Sequence, residues 1–199
     1  MKRLKAFAVG MILAAAGLMF YCGSFYITSY RQNKEAEENW KQIEQTAHTS
    51  EQTSEDHAVK QKKRKEKNKK QKIRESFGIS WENLRKINPR TVAWITVPGA
   101  DISYPVVQGD DDEFYLKHNF QDEENLFGCI FLGKANRKDF SDSHSFLYGH
   151  NMQGNMMFAN LNRYEDPAYL EQCPEFEIIT PEKKYTYRIF SVEQAQEGS

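Results

Sequence analysis

Between Ala6 and Tyr30 the chain carries no charged residue, a run of 25 positions flanked by Lys2, Arg3 and Lys5 on one side and Arg31 on the other. As an α-helix such a run extends about 37 Å, more than the roughly 30 Å of a bilayer's hydrocarbon core. The run therefore reads as a transmembrane signal-anchor, with Tyr21, Tyr26 and Tyr30 gathered at its far end, where amphipathic rings favour the interface. Basic residues before it and mixed charges after it place residues 1–5 in the cytoplasm as a short tail and the remainder outside the cell. A cleaved signal peptide using Ala14-Ala15-Ala16 fits less well, because the apolar run continues far past those residues. A lipoprotein signal at Cys22 fits worse, since bulky Met19-Phe20-Tyr21 precedes it.

The net charge of −1 conceals a division. Residues 31–75 hold 13 basic and 9 acidic side chains with few large apolar ones, too little to bury a core, so 31–79 reads as a polar, basic stalk. Ala36, Trp40, Ile43 and Ala47 recur at helical spacing and mark a narrow amphipathic stripe within it. Lys60 to Lys72 contains nine basic residues and one acidic residue, a run suited to an anionic wall polymer or lipid; the outward topology excludes nucleic acid. From residue 76 onward 11 basic residues face 19 acidic ones, a net of −8.

Residues 80–199 read as one mainly β domain. Ser80 caps a helix through Trp81, Leu84 and Ile87 that stops before Asn88-Pro89. Thr91–Val97 and Ile102–Val107 read as strands around a Pro98-Gly99 turn, and Pro105 makes the second an edge or bulged strand. The acids Asp110 to Glu113 open a short helix at Phe114-Tyr115-Leu116; their consecutive spacing suits capping better than a calcium loop. Further strands are expected at 128–132, at 145–148 as a buried strand, and as a hairpin of 175–180 and 185–192. Short helical turns fall near Phe158, Leu161 and Tyr164, and at Tyr169-Leu170. Many short strands with few helices predict a β-barrel or sandwich. Cys22, Cys129 and Cys173 form no disulfide framework.

His150, in Tyr148-Gly149-His150-Asn151-Met152, stands at the end of a strand beside a Gln153-Gly154-Asn155 turn, where a rigid element can present an imidazole for proton transfer near neutral pH. Four stretches carry a resemblance when taken in order: Tyr104-Pro105-Val106-Val107-Gln108-Gly109, Tyr115 to Phe120, Gly128-Cys129-Ile130-Phe131, and Tyr148 to Met152 with Met157-Phe158. Over roughly residues 85–195 the chain resembles the class B sortases.

That resemblance implies an eight-stranded β-barrel and a membrane-anchored cysteine transpeptidase of Gram-positive bacteria. In such enzymes a cysteine cleaves an Asn-Pro-x-Thr type sorting signal after threonine, and an amine of the peptidoglycan precursor resolves the thioester. The implied partners are surface proteins bearing sorting signals, that precursor amine, and the membrane; no cofactor, metal or nucleic acid is called for. His150 matches the family histidine, Tyr148 and Leu116 match groove positions for substrate, and Asp112 stands where some relatives carry asparagine. The family's cysteine and arginine lie on its last two strands, which this sequence does not reach. Cys129 and Cys173, like Arg163 and Arg188, do not match those positions. The expectation is therefore an incomplete barrel, inactive alone and prone to expose its strand edges. The competing reading is a non-catalytic, membrane-tethered protein that binds sorting peptides. A metal site from His118, His144 and His150 lacks ligand spacing.

Overall fold

The computed structural model describes residues 2–48, 77–152, 154 and 156–193. Helix α1 spans Lys2–His48 and passes from one compact unit, Met1–Asn39, into a second, Trp40–Ser199. The run 6–30 lies in its backbone, but most side chains before Tyr21 fall outside the described set. Among the described residues no helix is long and apolar enough to cross a membrane. The described part of the basic run is nil, since residues 49–76 lie outside it.

Within the second unit, the last turns of α1 share a core with the β domain. Ile43 and Ala47 are buried there, and Trp40 meets Tyr104 edge-to-face at 5.0 Å. His48 Nδ1–H donates to the carbonyl of Gly78 at 2.7 Å. Of the stripe at helical spacing, Trp40, Ile43 and Ala47 thus pack into this core.

Helix α2, Trp81–Ile87, begins where Ser80 accepts from the main chain of Asn83 and ends at Asn88. Strands β1 (Thr91–Val97) and β2 (Ile102–Val107) form an antiparallel pair with a bulge between Thr91 and Ala93. Pro105 pairs with Trp94 on one side, while β3 (Phe131–Leu132) meets β2 only at Val107. The missing proline N–H is therefore not demanded by a ladder. Strand β4 is Leu147–Tyr148; the helix α3, Pro167–Gln172, is capped by Asp166; and β5 (Glu175–Ile179) with β6 (Lys184–Arg188) makes the expected hairpin. The sheet order is β4-β3-β2-β1-β5-β6.

One expectation needs correction. The 145–148 segment is not buried: Phe146 is 60% and Tyr148 40% exposed. Strand β4 closes one end of the sheet order, so one of its sides has no neighbouring strand to cover it. The apolar run alone could not distinguish a central from a terminal strand.

Candidate active site

Two main-chain segments meet at His150. The first arrives through β4, where Tyr148 pairs with Phe131 and stacks on its ring at 5.1 Å, so an exposed tyrosine is anchored on a fully buried phenylalanine. At Gly149 a side chain would stand 2.9 Å from Phe158 Cδ2 and 3.2 Å from Ile130 Cγ1. Only the absence of a Cβ lets the chain pass that close. Phe158 N–H then donates to the carbonyl of His150 at 3.0 Å, and Asn151 bridges to Met157.

The second segment is the 3-10 turn Phe114–Leu116. Asp111 Oδ1 accepts from the N–H groups of Glu113 and Phe114 at 2.9 and 2.7 Å, and these bonds, that to Phe114 first, hold its carboxyl below the usual range. Asp110 pairs with Arg90, and Asp112 accepts from Lys134 N–H at 2.7 Å. The acid run is thus engaged by main-chain donors and an arginine. Among the described residues no group of three or more His, Cys, Asp or Glu side chains is placed to hold a metal.

The segments join through one bond: His150 Nε2 lies 2.7 Å from the carbonyl oxygen of Leu116. A carbonyl only accepts, so Nε2 is the donor, and Nδ1 is the nitrogen that this bond leaves unengaged. The imidazole is partly buried, oriented by main chain, and able to take a proton at one nitrogen while the other is held. The three residues expected at the site fall into one neighbourhood, with His150 on Leu116 and Tyr148 two positions before the histidine on β4.

Sequence reading missed Gly128. Its φ is +57°, and a Cβ there would approach Tyr115 O to 2.4 Å and Leu116 O to 3.0 Å. It is the residue that admits the Leu116 carbonyl beside the next chain segment; a glycine interrupting an apolar strand was the available signal. Also missed was the support beneath the turn. Asn88 Nδ2 donates to Tyr115 Oη, Phe120 O and Asp122 Oδ1 at 3.1, 2.9 and 3.0 Å, and Tyr115 donates to Asp122 at 2.8 Å. Burial pushes the Tyr115 hydroxyl up to about 12, helped by its bond to Asp122.

The remaining candidates have other partners. Cys129 is 2% exposed and burial pushes its thiol well up, the setting of an inert small hydrophobe. Cys173 packs against Gly99. Arg163 binds Asp101 and the Gly99 carbonyl, and Arg188 faces Glu175 across the β5–β6 hairpin. His118 stacks on Phe114 at 3.8 Å, and His144 is exposed beside Ser143.

The family model of the sortase domain matches residues 95–198. The chain belongs to the sortase family. Sortase B of Listeria monocytogenes is 36% identical over 110 residues, covering 55% of this chain and 45% of that protein. Sortase B of Clostridium perfringens superposes with a TM-score of 0.54 at 39% identity, over 56% of this chain and 61% of the other. The Staphylococcus aureus sortase B–substrate complex gives 0.62 at 27% identity, over 81% and 66%. Among sortases the chain is of class B, and its six-stranded sheet is the curled half-barrel of the sortase fold with short helices. The chain spans about half the length of the curated relatives it matches.

Proposed function

We propose that the protein serves cysteine transpeptidation of the sortase type, in which an Asn-Pro-x-Thr type sorting signal on a surface protein is cleaved and transferred to a peptidoglycan amine. The single observation that carries this reading is the 2.7 Å contact of His150 with Leu116, which gathers the matched histidine and a matched groove residue where β4 ends. His150 is the proton-transfer residue: it protonates the leaving amine and deprotonates the incoming one. Leu116 and Tyr148 line the peptide site. The S. aureus relative has been seen with a substrate, which supports placing a peptide in this groove.

The same reading includes an N-terminal anchor with the catalytic domain outside the cell. Its support is the uncharged run together with Tyr21, Phe25, Tyr26, Ile27 and Tyr30, all more than half exposed on the first unit. Cysteine labelling at introduced positions on either side of residues 6–30, in intact cells, tests the topology; reagent access to position 3 from outside overturns it.

A narrower claim follows from where the thiols stand. Cys129 is buried and Cys173 packs at Gly99, so neither completes a thiol–imidazole pair with His150, and the 199-residue polypeptide by itself binds the signal without cleaving it. This also states what separates catalysis from the alternative of a tethered peptide-binding protein. A photoreactive Asn-Pro-x-Thr peptide incubated with the detergent-solubilised chain tests both. Crosslinks at 114–116 and 148–150 without cleavage support the reading; crosslinks elsewhere overturn the site, and cleavage overturns the claim of inactivity.

A further inference from the structure

On a domain whose net charge is −8, one groove has the opposite sign. It encloses about 950 Å³ at the start of β1, between the loop after β3 and the β5–β6 turn, and touches the His150 site only through Arg90, whose guanidinium pairs with Asp110. Four cations line it, Arg85, Arg90, Lys138 and Lys183, against two carboxylates, Asp139 and Glu182. Among the described residues, Arg90 alone of the four is in an ion pair, with Asp110. Lys183 holds its ammonium 6.0 Å from the centre of the Tyr185 ring.

The segments that carry the cations are tied down by hydrogen bonds. Thr180 Oγ1 accepts from Lys183 N–H at 3.0 Å, and Thr180 N–H donates to Lys183 O at 2.7 Å, closing the turn that presents Lys183. Tyr185 donates its hydroxyl to Asp139 O at 2.8 Å, tying the loop that bears Lys138 to β6. Arg85 Nε donates to Thr91 O at 3.4 Å, which steers its guanidinium towards β1. The main chain that carries the cations is thus fixed on both walls.

We propose that this groove binds a flexible phosphate-bearing polymer without nucleobases, such as an anionic phosphodiester chain. Its volume exceeds that of a single phosphate, and its cations are spread over three segments, so successive charges of one chain are matched rather than a single ion. Among the described residues the lining contains no aromatic side chain on which a base would stack, which separates this ligand from single-stranded nucleic acid. The surrounding negative charge repels a long, stiff polyanion and leaves a flexible one that enters the groove. The inference is independent of the transpeptidase reading.

Lysine acetylation footprinting of the full chain in detergent tests it, with long-chain inorganic polyphosphate as probe and an oligodeoxythymidine of equal charge as contrast. At polyphosphate about ten times its Kd, labelling of Lys138 and Lys183 slows about tenfold. Labelling of exposed Lys117 stays unchanged, the oligonucleotide does not protect the groove, and R85E abolishes most of the protection at both lysines. The basic run Lys60 to Lys72 reports its own binding separately in the same spectrum. Equal labelling with and without polyphosphate, equal protection by the oligonucleotide, or protection that survives R85E overturns the proposal.

Discussion

His150 donates its Nε2 proton to the main-chain oxygen of Leu116, 2.7 Å away and 34 positions earlier in the chain. The bond fixes the ring's tautomer and leaves Nδ1 as the basic nitrogen. Replacing the histidine with alanine removes a partly buried hydrogen bond and strands that carbonyl, a cost of about 1–2 kcal/mol. Glutamine can restore a donor. Urea unfolding of H150A and H150Q checks the contact: alanine destabilises and glutamine recovers part of the loss. Equal stability of H150A and the parent chain means the bond contributes nothing.

Gly128 and Gly149 meet different obstacles. At Gly149 the new methyl presses on the edge of a phenylalanine ring, which can move, whereas at Gly128 it meets main chain at 2.4 Å with φ at +57°. Gly149→Ala is expected to cost about 1–2 kcal/mol and Gly128→Ala about 3 kcal/mol. Thermal unfolding of the two variants should rank them in that order. The reverse ranking would contradict the role given to Gly128.

Tyr115 supplies a pH-dependent term. Its hydroxyl, pushed up to about 12 by burial, loses its proton later in the folded chain than in the unfolded one, whose tyrosines ionise near 10. The folded state therefore holds more protons in that window, so stabilisation is full below about pH 10 and falls as pH rises towards 12. Spectrophotometric titration of the parent chain against Y115F should show one late tyrosine missing from the variant. Asn88→Ala, which removes the donor shared by Tyr115, Phe120 and Asp122, should destabilise the chain by about 2–3 kcal/mol in urea.

The two thiols of the second unit differ in access. Cys129 is buried with its thiol pushed well up, while Cys173 is half-buried near the surface. Under native conditions a maleimide should modify Cys173 within minutes and leave Cys129 unmodified until denaturant is added. Mass spectrometry of the labelled peptides gives the answer. Rapid modification of Cys129 would reopen its candidacy as a nucleophile.

Helix α2 was legible because every signal for it is local: Ser80 as cap, apolar residues at helical spacing, and Asn88-Pro89 as stop. The β1–β2 and β5–β6 pairs were legible for the same reason, with strand composition flanking a short turn. The ordered motifs named both His150 and Leu116, which the fold brings into contact, because a family resemblance depends on residue types in sequence. Local pattern ran out at β4. Whether Phe146 and Tyr148 are covered depends on how many strands lie beyond them, which is a property of the sheet order.

By itself, then, the sequence determined the identities and spacing of the elements, the charge contrast between residues 31–75 and the domain, and the histidine at a strand end. Tertiary structure alone decided that the helical stripe at Ile43 and Ala47 enters the core, that Asn88 supports a turn 27 to 34 residues away, and that Gly128 admits the carbonyl holding His150. It also placed Arg85, Lys138 and Lys183 around one groove. The physical reason is common to all four. Hydrogen bonds, close approaches and clustered charges form between atoms that are near in space, and the separation between those atoms along the chain leaves no periodic trace to read.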